Sequence, residues 1–376
     1  MSNLFEKTAV KTQCACIYND KIWYFSVESN ALLCMDMVTF ESEFVMSVEG
    51  FLPNQRFMFT DIISYEDSLI LVPYVAKDIF IFYPMTNKTE RIILNTYDEI
   101  TYFSVSNYEN NKIVLFPALK FPYYYIYDMG NHVVQKKNID FEKLGLEMTN
   151  NSKTYFMTAR GFNGHLYTNL FKKDKFVVFD ILSCCFKITN IHSLSGESIN
   201  INTICFMNKD KAVALNAKGD EVLYISEDGT VEESYVLNPV SRSRLFLEKD
   251  AMGYSDVARI DDNSWVAMPI FGNDVVIYKN KEMVQVPINW DRIIPTIEQA
   301  RIFYSMLTAG EYIYLLPYQS GTIIRINLIS YDIDYYEKQI MDTERFNKIC
   351  SVYLEKEKSI VYEGELGFGD YCQLLT

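Results

Sequence analysis

The sequence predicts an all-β chain made of one repeated four-stranded unit, arranged as a closed ring in a single domain over residues 1–376. Three observations lead there. The chain carries 28 Tyr and 25 Phe, residues that favour half-buried pleated surfaces. Stretches with helical periodicity are scarce. A pattern of apolar run, short loop and second apolar run recurs about every 47 residues.

The repeat is clearest in LILVPYVAKDIFIFY from Leu69, IVLFPALKFPYYYIYD from Ile113, WVAMPIFGNDVVIYK from Trp265 and IYLLPYQSGTIIRINL from Ile313. Taking the proline as an anchor gives Pro73, Pro117, Pro269 and Pro317, with equivalents at Ser26, Asn169, Asn216 and Glu363. The spacings are 47, 44, 52, 47, 53, 48 and 46 residues. Each unit reads as strands a to d. Strand a meets strand b at a tight turn, such as Asn19-Asp20, Glu66-Asp67, Asn110-Asn111, Asn163-Gly164 or Asp261-Asp262. Asn, Asp and Gly tolerate the positive φ that such turns demand. Strand b ends at the anchor, where a proline costs no ladder hydrogen bond. Strand d is more polar, as in EFVMSV from Glu43 and ERIIL from Glu90, and suits a solvent-facing edge. The best helical candidate, Trp290 to Ala300, is broken by Pro295.

This pattern resembles the β-propeller superfold across nearly the whole chain. It has neither the recurring Trp-Asp dipeptide of WD40 blades nor the Gly-Gly pair of kelch blades, so the resemblance implies a fold and little chemistry. The anchor count predicts about eight blades, with seven as the alternative. In the eight-blade reading the N-terminal stretch LFEKTAV supplies the fourth strand of the last, truncated blade and closes the ring without open edges.

Net charge is −14, which disfavours nucleic acid and anionic membranes as partners. No run of 18 apolar residues and no export signal are visible, so a cytoplasmic protein without a membrane span is expected. The eight Cys (14, 16, 34, 184, 185, 205, 350 and 372) then read as reduced thiols, most of them in apolar strands. A monomer or small homo-oligomer is expected.

In a propeller, the d–a and b–c connections share one face around the channel mouth, and the variable d–a connections mark it as the working face. Arg56, Arg301 and Arg345 each stand just before an innermost strand, and Arg242, Arg244 and Arg292 lie on d–a connections. Converging guanidiniums bind carboxylate, sulfate or phosphate through bidentate bonds. The competing reading has each arginine pairing with an acid such as Asp291, Glu298 or Glu344 and fastening its loop. Tyr74, Lys77, Tyr318 and Gln319 on b–c connections, with Trp290, add aromatic and polar groups that suit a glycan; the alternative is ordinary blade packing. The candidate ligand-binding set is therefore Arg56, Tyr74, Lys77, Arg244, Trp290, Arg292, Arg301, Tyr318, Gln319 and Arg345.

No catalytic residue is assigned. His132, His165 and His192 have no metal-binding spacing, and Cys14-x-Cys16 and Cys184-Cys185 lack a partner pair for zinc. Gly-x-Ser-x-Gly is absent, and GFGDYC at Gly367 lacks the phosphate-loop Lys. No cofactor is predicted, although an axial calcium held by backbone carbonyls stays compatible with the pattern. Two functions follow. The first is a non-catalytic binding or scaffold propeller for a partner protein, glycan or anionic metabolite. The alternative is a lyase, hydrolase or isomerase acting on a carbohydrate or other anionic small molecule at the channel mouth.

Overall fold

The computed structural model describes 12–26, 31–48, 58–74, 76, 78–94, 102–107, 111–117, 123–142, 159–170, 173–208, 210–242, 252–293, 303–317, 322–337 and 339–340. Seven four-stranded antiparallel sheets follow one another along the chain. Blade 1 is β1 (Thr12–Tyr18), β2 (Lys21–Ser26), β3 (Ala31–Asp36) and β4 (Glu41–Ser47); blade 2 is β5 (Phe59–Tyr65), β6 (Ser68–Pro73), β7 (Asp78–Tyr83) and β8 (Lys88–Ile93). Blade 3 is β9 (Tyr102–Asn107), β10 (Lys112–Pro117), β11 (Tyr123–Asp128) and β12 (Val133–Asn138); blade 4 is β13 (Arg160–Phe162), β14 (His165–Asn169), β15 (Lys175–Asp180) and β16 (Cys185–Asn190). Blade 5 is β17 (Ile201–Phe206), β18 (Lys211–Asn216), β19 (Glu221–Ser226) and β20 (Val231–Val236); blade 6 is β21 (Tyr254–Asp261), β22 (Ser264–Pro269), β23 (Val275–Lys279) and β24 (Glu282–Val286). Blade 7 is β25 (Phe303–Ala309), β26 (Tyr312–Pro317), β27 (Thr322–Asn327) and β28 (Ile333–Glu337), and a short β29 (Gln339–Ile340) follows.

The second strand of every blade ends on a residue of the anchor series: Ser26, Pro73, Pro117, Asn169, Asn216, Pro269 and Pro317. The chain reverses there because these residues terminate the ladder between two apolar strands. Turn chemistry sets the first hairpins. Asn19 and Asp20 take φ of 50° and 55°, and Asn163 and Gly164 take 46° and 76°. Among the fourth strands, β8 and β12 are exposed along most of their length, whereas β4 buries Ser42 and Phe44.

The core is distributed between blades. One buried cluster joins each neighbouring pair, from blades 1 and 2 (Phe25, Phe59, Phe80) round to blades 6 and 7 (Val266, Ile277, Ile313, Ile324). A further cluster joins blade 7 back to blade 1 through Tyr314, Leu316 and Ile323 against Tyr24, Leu33 and Phe44. The ring is therefore closed at seven blades, the alternative count, and not at eight. The physical reason is that blades 1 and 7 are each complete from four consecutive strands and bury their faces against each other. The eighth anchor, Glu363, and the N-terminal stretch proposed as a closing strand lie outside the described residues. After blade 7 the chain crosses to blade 1, where β29 pairs in parallel with the outer edge of β4, Gln339 opposite Glu41 and Ile340 opposite Ser42. At the start of the interrupted helical candidate, the described residues form a single 3₁₀ turn, Trp290–Arg292, capped by the Asn289 side chain.

Candidate functional site: the central channel

The first strand of each blade faces the axis, and five of the seven carry the same irregularity near their start. In β1, β5, β17, β21 and β25 one extra residue interrupts pairing with the second strand, just before Cys14, Asp61, Thr203, Asp256 and Ser305 respectively. Such bulges bend an innermost strand and re-aim the side chains that follow. Here they bring polar groups into the channel wall.

Asp256 and Arg160 dominate that wall. Arg160, on blade 4, reaches past blade 5 to blade 6. Its Nη2 donates to Asp256 Oδ2 at 2.6 Å and its Nη1 donates to the Val257 carbonyl at 2.6 Å. Asp256 also accepts from the Thr203 hydroxyl of blade 5 at 2.8 Å and from the Val257 amide at 2.8 Å. The carboxylate is almost wholly buried, with 7% of its side chain exposed against 25% for Arg160. Burial works most strongly against the arginine charge, but the adjacent Asp256 carboxylate and the Cys205 thiol together outweigh it, so the Arg160 pKa lies above the ordinary arginine range. Alongside, the Asn169 amide donates to the Asn202 carbonyl at 2.8 Å and the Asn202 amide donates to the Ser255 carbonyl at 3.3 Å, tying blades 4, 5 and 6 together.

A cavity of about 580 Å³ lies here, with Arg160, Phe162, Tyr167, Asp256, Arg259 and Met306 in its wall. Arg259 pairs with Asp262, and its guanidinium carbon sits 5.0 Å from the centre of the Phe162 ring. Tyr167 stacks on Phe206 with ring centres 3.5 Å apart.

Of the ten residues predicted as ligand-binding, Arg56, Lys77, Arg244, Arg301, Tyr318, Gln319 and Arg345 lie outside the described residues. The other three are placed in two separate locations. Trp290 and Arg292 share the 3₁₀ turn between blades 6 and 7. Trp290 packs 4.9 Å from Phe271 and 6.4 Å from Phe303, and Arg292 lies over the Tyr335 ring at 4.6 Å. Tyr74 belongs to blade 2, where its amide donates to the Met58 carbonyl at 2.9 Å. Arg242 donates to Asp220 at 2.8 Å across neighbouring connections. The three histidines sit at turns. The Nε2 of His165 lies 3.2 Å from Asp180, His132 lies 3.3 Å from the Tyr127 hydroxyl and His192 3.3 Å from the Thr230 hydroxyl. Cys14, Cys16, Cys34 and Cys205 are buried thiols, whereas Cys185 is exposed. Among the described residues no three His, Cys, Asp or Glu side chains come together in a metal-binding group, and no helix is long and apolar enough to cross a membrane.

Sequence reasoning missed Arg160, Asp256 and Arg259, although a signal was present. Pairing aligns Arg160 with Ala15, Ile62, Ser104, Ile204, Val257 and Met306, because each stands opposite the residue two before its anchor. A lone charge in a column otherwise made of apolar residues and one serine marks a built interaction.

No family model matches the chain, and no curated protein matches it in sequence. Solved structures match in fold. Virginiamycin B lyase from Staphylococcus aureus aligns with a TM-score of 0.58 at 11% identity, over 83% of this chain and 94% of that one. The structure of U3-55K aligns at 0.56 and 9% identity, over 83% and 88%, and the RRP9 WD40 repeats align at 0.56 and 8%, over 83% and 87%. These likenesses establish the propeller fold and carry no chemistry at such low identity.

Proposed function

We propose that this protein is a non-catalytic binding propeller, a rigid ring that presents its surface to a partner protein. The observation that carries this reading is the engagement of Arg160 with Asp256. These two channel-wall charges neutralise each other and tie blade 4 to blade 6. A catalytic mouth needs groups left available for a substrate. The described connection arginine Arg242 is likewise paired, and Arg292 is stacked on an aromatic ring. Propeller structures of similar shape include both a lyase and WD40 proteins, so the fold alone leaves the choice to the site. The unpaired cysteines, including exposed Cys185, favour the cytoplasm.

Photo-cross-linking in cells tests this. A photoreactive residue placed on the blade surface is expected to capture protein, whereas one replacing Ser305 in the channel is expected to yield only the free chain. Capture of a small molecule at Ser305, with no protein from any surface position, would overturn the proposal.

A second reading, an anionic small molecule or glycan held in the channel, draws on Arg259. Its Nε is buried and has no hydrogen-bond partner among the described residues. Titration with sulfate, citrate and glucuronate decides it: Arg259→Gln abolishes saturable binding if the reading is right, and binding that survives the substitution removes it.

A further inference from the structure

One face of the ring carries the a–b and c–d turns. The a–b turns lie nearer the axis and the c–d turns further out, because strand order runs outward from the first strand. The c–d turns of blades 1 and 7 share a construction, whereas that of blade 2 closes through the Thr86 amide on the Tyr83 carbonyl at 3.2 Å. The residue closing the third strand caps the turn: Asp36 accepts from the amides of Val38 and Thr39, and Asn327 accepts from those of Ile329 and Ser330. Four residues on, Phe40 and Tyr331 return an amide to the capping residue's carbonyl at 3.0 and 2.9 Å. The turn thus pushes its second loop residue outward. Solubility alone favours a polar residue there. This chain instead places Ile329 on blade 7, Val38 on blade 1 and Met85 on blade 2, exposed by 63, 85 and 80%. Three successive blades therefore display large apolar side chains along one arc.

Inside that arc the a–b turns of the same three blades are acidic. Glu311 stands on blade 7, Asp20 on blade 1, and Glu66 with Asp67 on blade 2, all exposed. Asp332 adds a further exposed carboxylate, while Lys21 is half-buried and Lys88 opens β8. A cleft of about 420 Å³ interrupts the arc between blades 1 and 2, walled by Tyr18, Trp23, Phe82, Pro84 and Met85. That volume accommodates a large side chain.

We infer that the turn face of blades 7, 1 and 2 docks a basic amphipathic segment of a partner protein, with one large apolar side chain seated in the cleft between blades 1 and 2. The inference rests on the protein-binding reading and specifies its surface. Charge complementarity selects this occupant. The acidic inner rail repels an anionic lipid surface and a second copy of this acidic chain, and it attracts lysine and arginine. The apolar outer rail supplies the contacts that a purely electrostatic encounter lacks.

The test uses the full chain and a fluorescent synthetic amphipathic Lys/Leu peptide with one Trp on its apolar face, followed by anisotropy. The triple variant V38S/M85S/I329S is expected to weaken binding about tenfold or more. Leu182→Ser, which changes an equally exposed apolar turn residue on blade 4, is expected to leave it within about twofold. Neutralising the inner rail with D20N/E66Q/D67N/E311Q is expected to weaken binding and flatten its salt dependence. All these side chains are exposed, so circular dichroism of the variants is expected to match the parent. Undiminished binding by the triple variant, an equal loss in Leu182→Ser, or stronger association with phosphatidylserine vesicles or with itself would overturn the inference. Protein cross-links confined to the opposite face would overturn it and leave the binding function standing, whereas no protein cross-links anywhere would remove the function itself.

Discussion

Phe40 of blade 1 lies flat on Tyr336 of blade 7, with ring centres 3.4 Å apart and planes within 6°. The guanidinium of Arg325 packs against both rings, 5.3 Å from each, and donates to Asp334 at 2.6 Å. The stack joins the first blade to the last, so the closing seam of the ring is held by side chains and by the short β29–β4 pairing. Phe40 makes this contact from a left-handed backbone, at φ 60°. That conformation is unfavourable for a bulky residue and persists because the seam holds it.

Phe40→Ala is expected to lower stability by about 3 kcal/mol, because a buried aromatic ring is removed. Phe40→Gly loses the same ring but relieves the left-handed backbone, and is expected to be about 1 kcal/mol more stable than the alanine variant. Urea denaturation compares them. A glycine variant no more stable than the alanine variant contradicts the account of the seam.

Removing one partner from the channel pair leaves a buried carboxylate uncompensated. Arg160→Met is expected to cost about 3 kcal/mol or more, and D256L added to it is expected to restore part of that loss. Additive losses in the double variant would mean that Arg160 and Asp256 act independently.

Two glycines separate backbone freedom from close packing. Gly229 has φ +91°, and a Cβ there would collide with the Asn190 carbonyl of the neighbouring blade. Gly196 has φ +85° with nothing within 4 Å. Gly196→Ala is expected to cost about 1 kcal/mol, and Gly229→Ala at least about 2 kcal/mol, because a backbone-to-backbone seam must open. Equal costs would show that blades 4 and 5 yield easily at that contact.

Alkaline pH weakens the fold through its buried tyrosines. Burial foremost, then the nearby Glu227 carboxylate, pushes Tyr167 up to about 12, and burial also raises Tyr124, Tyr127 and Tyr254. A folded pKa above the unfolded value of 10 means that the native state holds its proton longer. Stability is therefore fully present below pH 10 and falls as pH rises from 10 towards 12. Denaturant midpoints that stay level across this window, while tyrosinate absorbance grows, would contradict the burial of these hydroxyls.

Much of the fold was legible because the repeat is written in chain-local features. The anchors Pro73, Pro117, Pro269 and Pro317 end strands, and Asn19-Asp20 and Asn163-Gly164 turn them. Blade number was not, because closure depends on which faces pack across the seam: Tyr314 and Ile323 against Tyr24 and Phe44 are separated by nearly the whole chain. The channel pair was hidden for the same reason, since Arg160 and Asp256 stand 96 residues apart. Arg292 and Trp290 looked like ligand groups because their residue types suit a ligand. Their roles follow from neighbours on other blades, Tyr335, Phe271 and Phe303, which residue type cannot announce.

In the proposed function the channel braces the ring and the surface meets the partner. Calorimetric titration of a cross-linked partner, once purified, into wild type and into R160M/D256L tests it most directly. Dissociation constants within about twofold of each other are expected if the partner sits on the surface and leaves the channel untouched. A loss of about tenfold or more in the channel variant, at a temperature where both are folded, would contradict it.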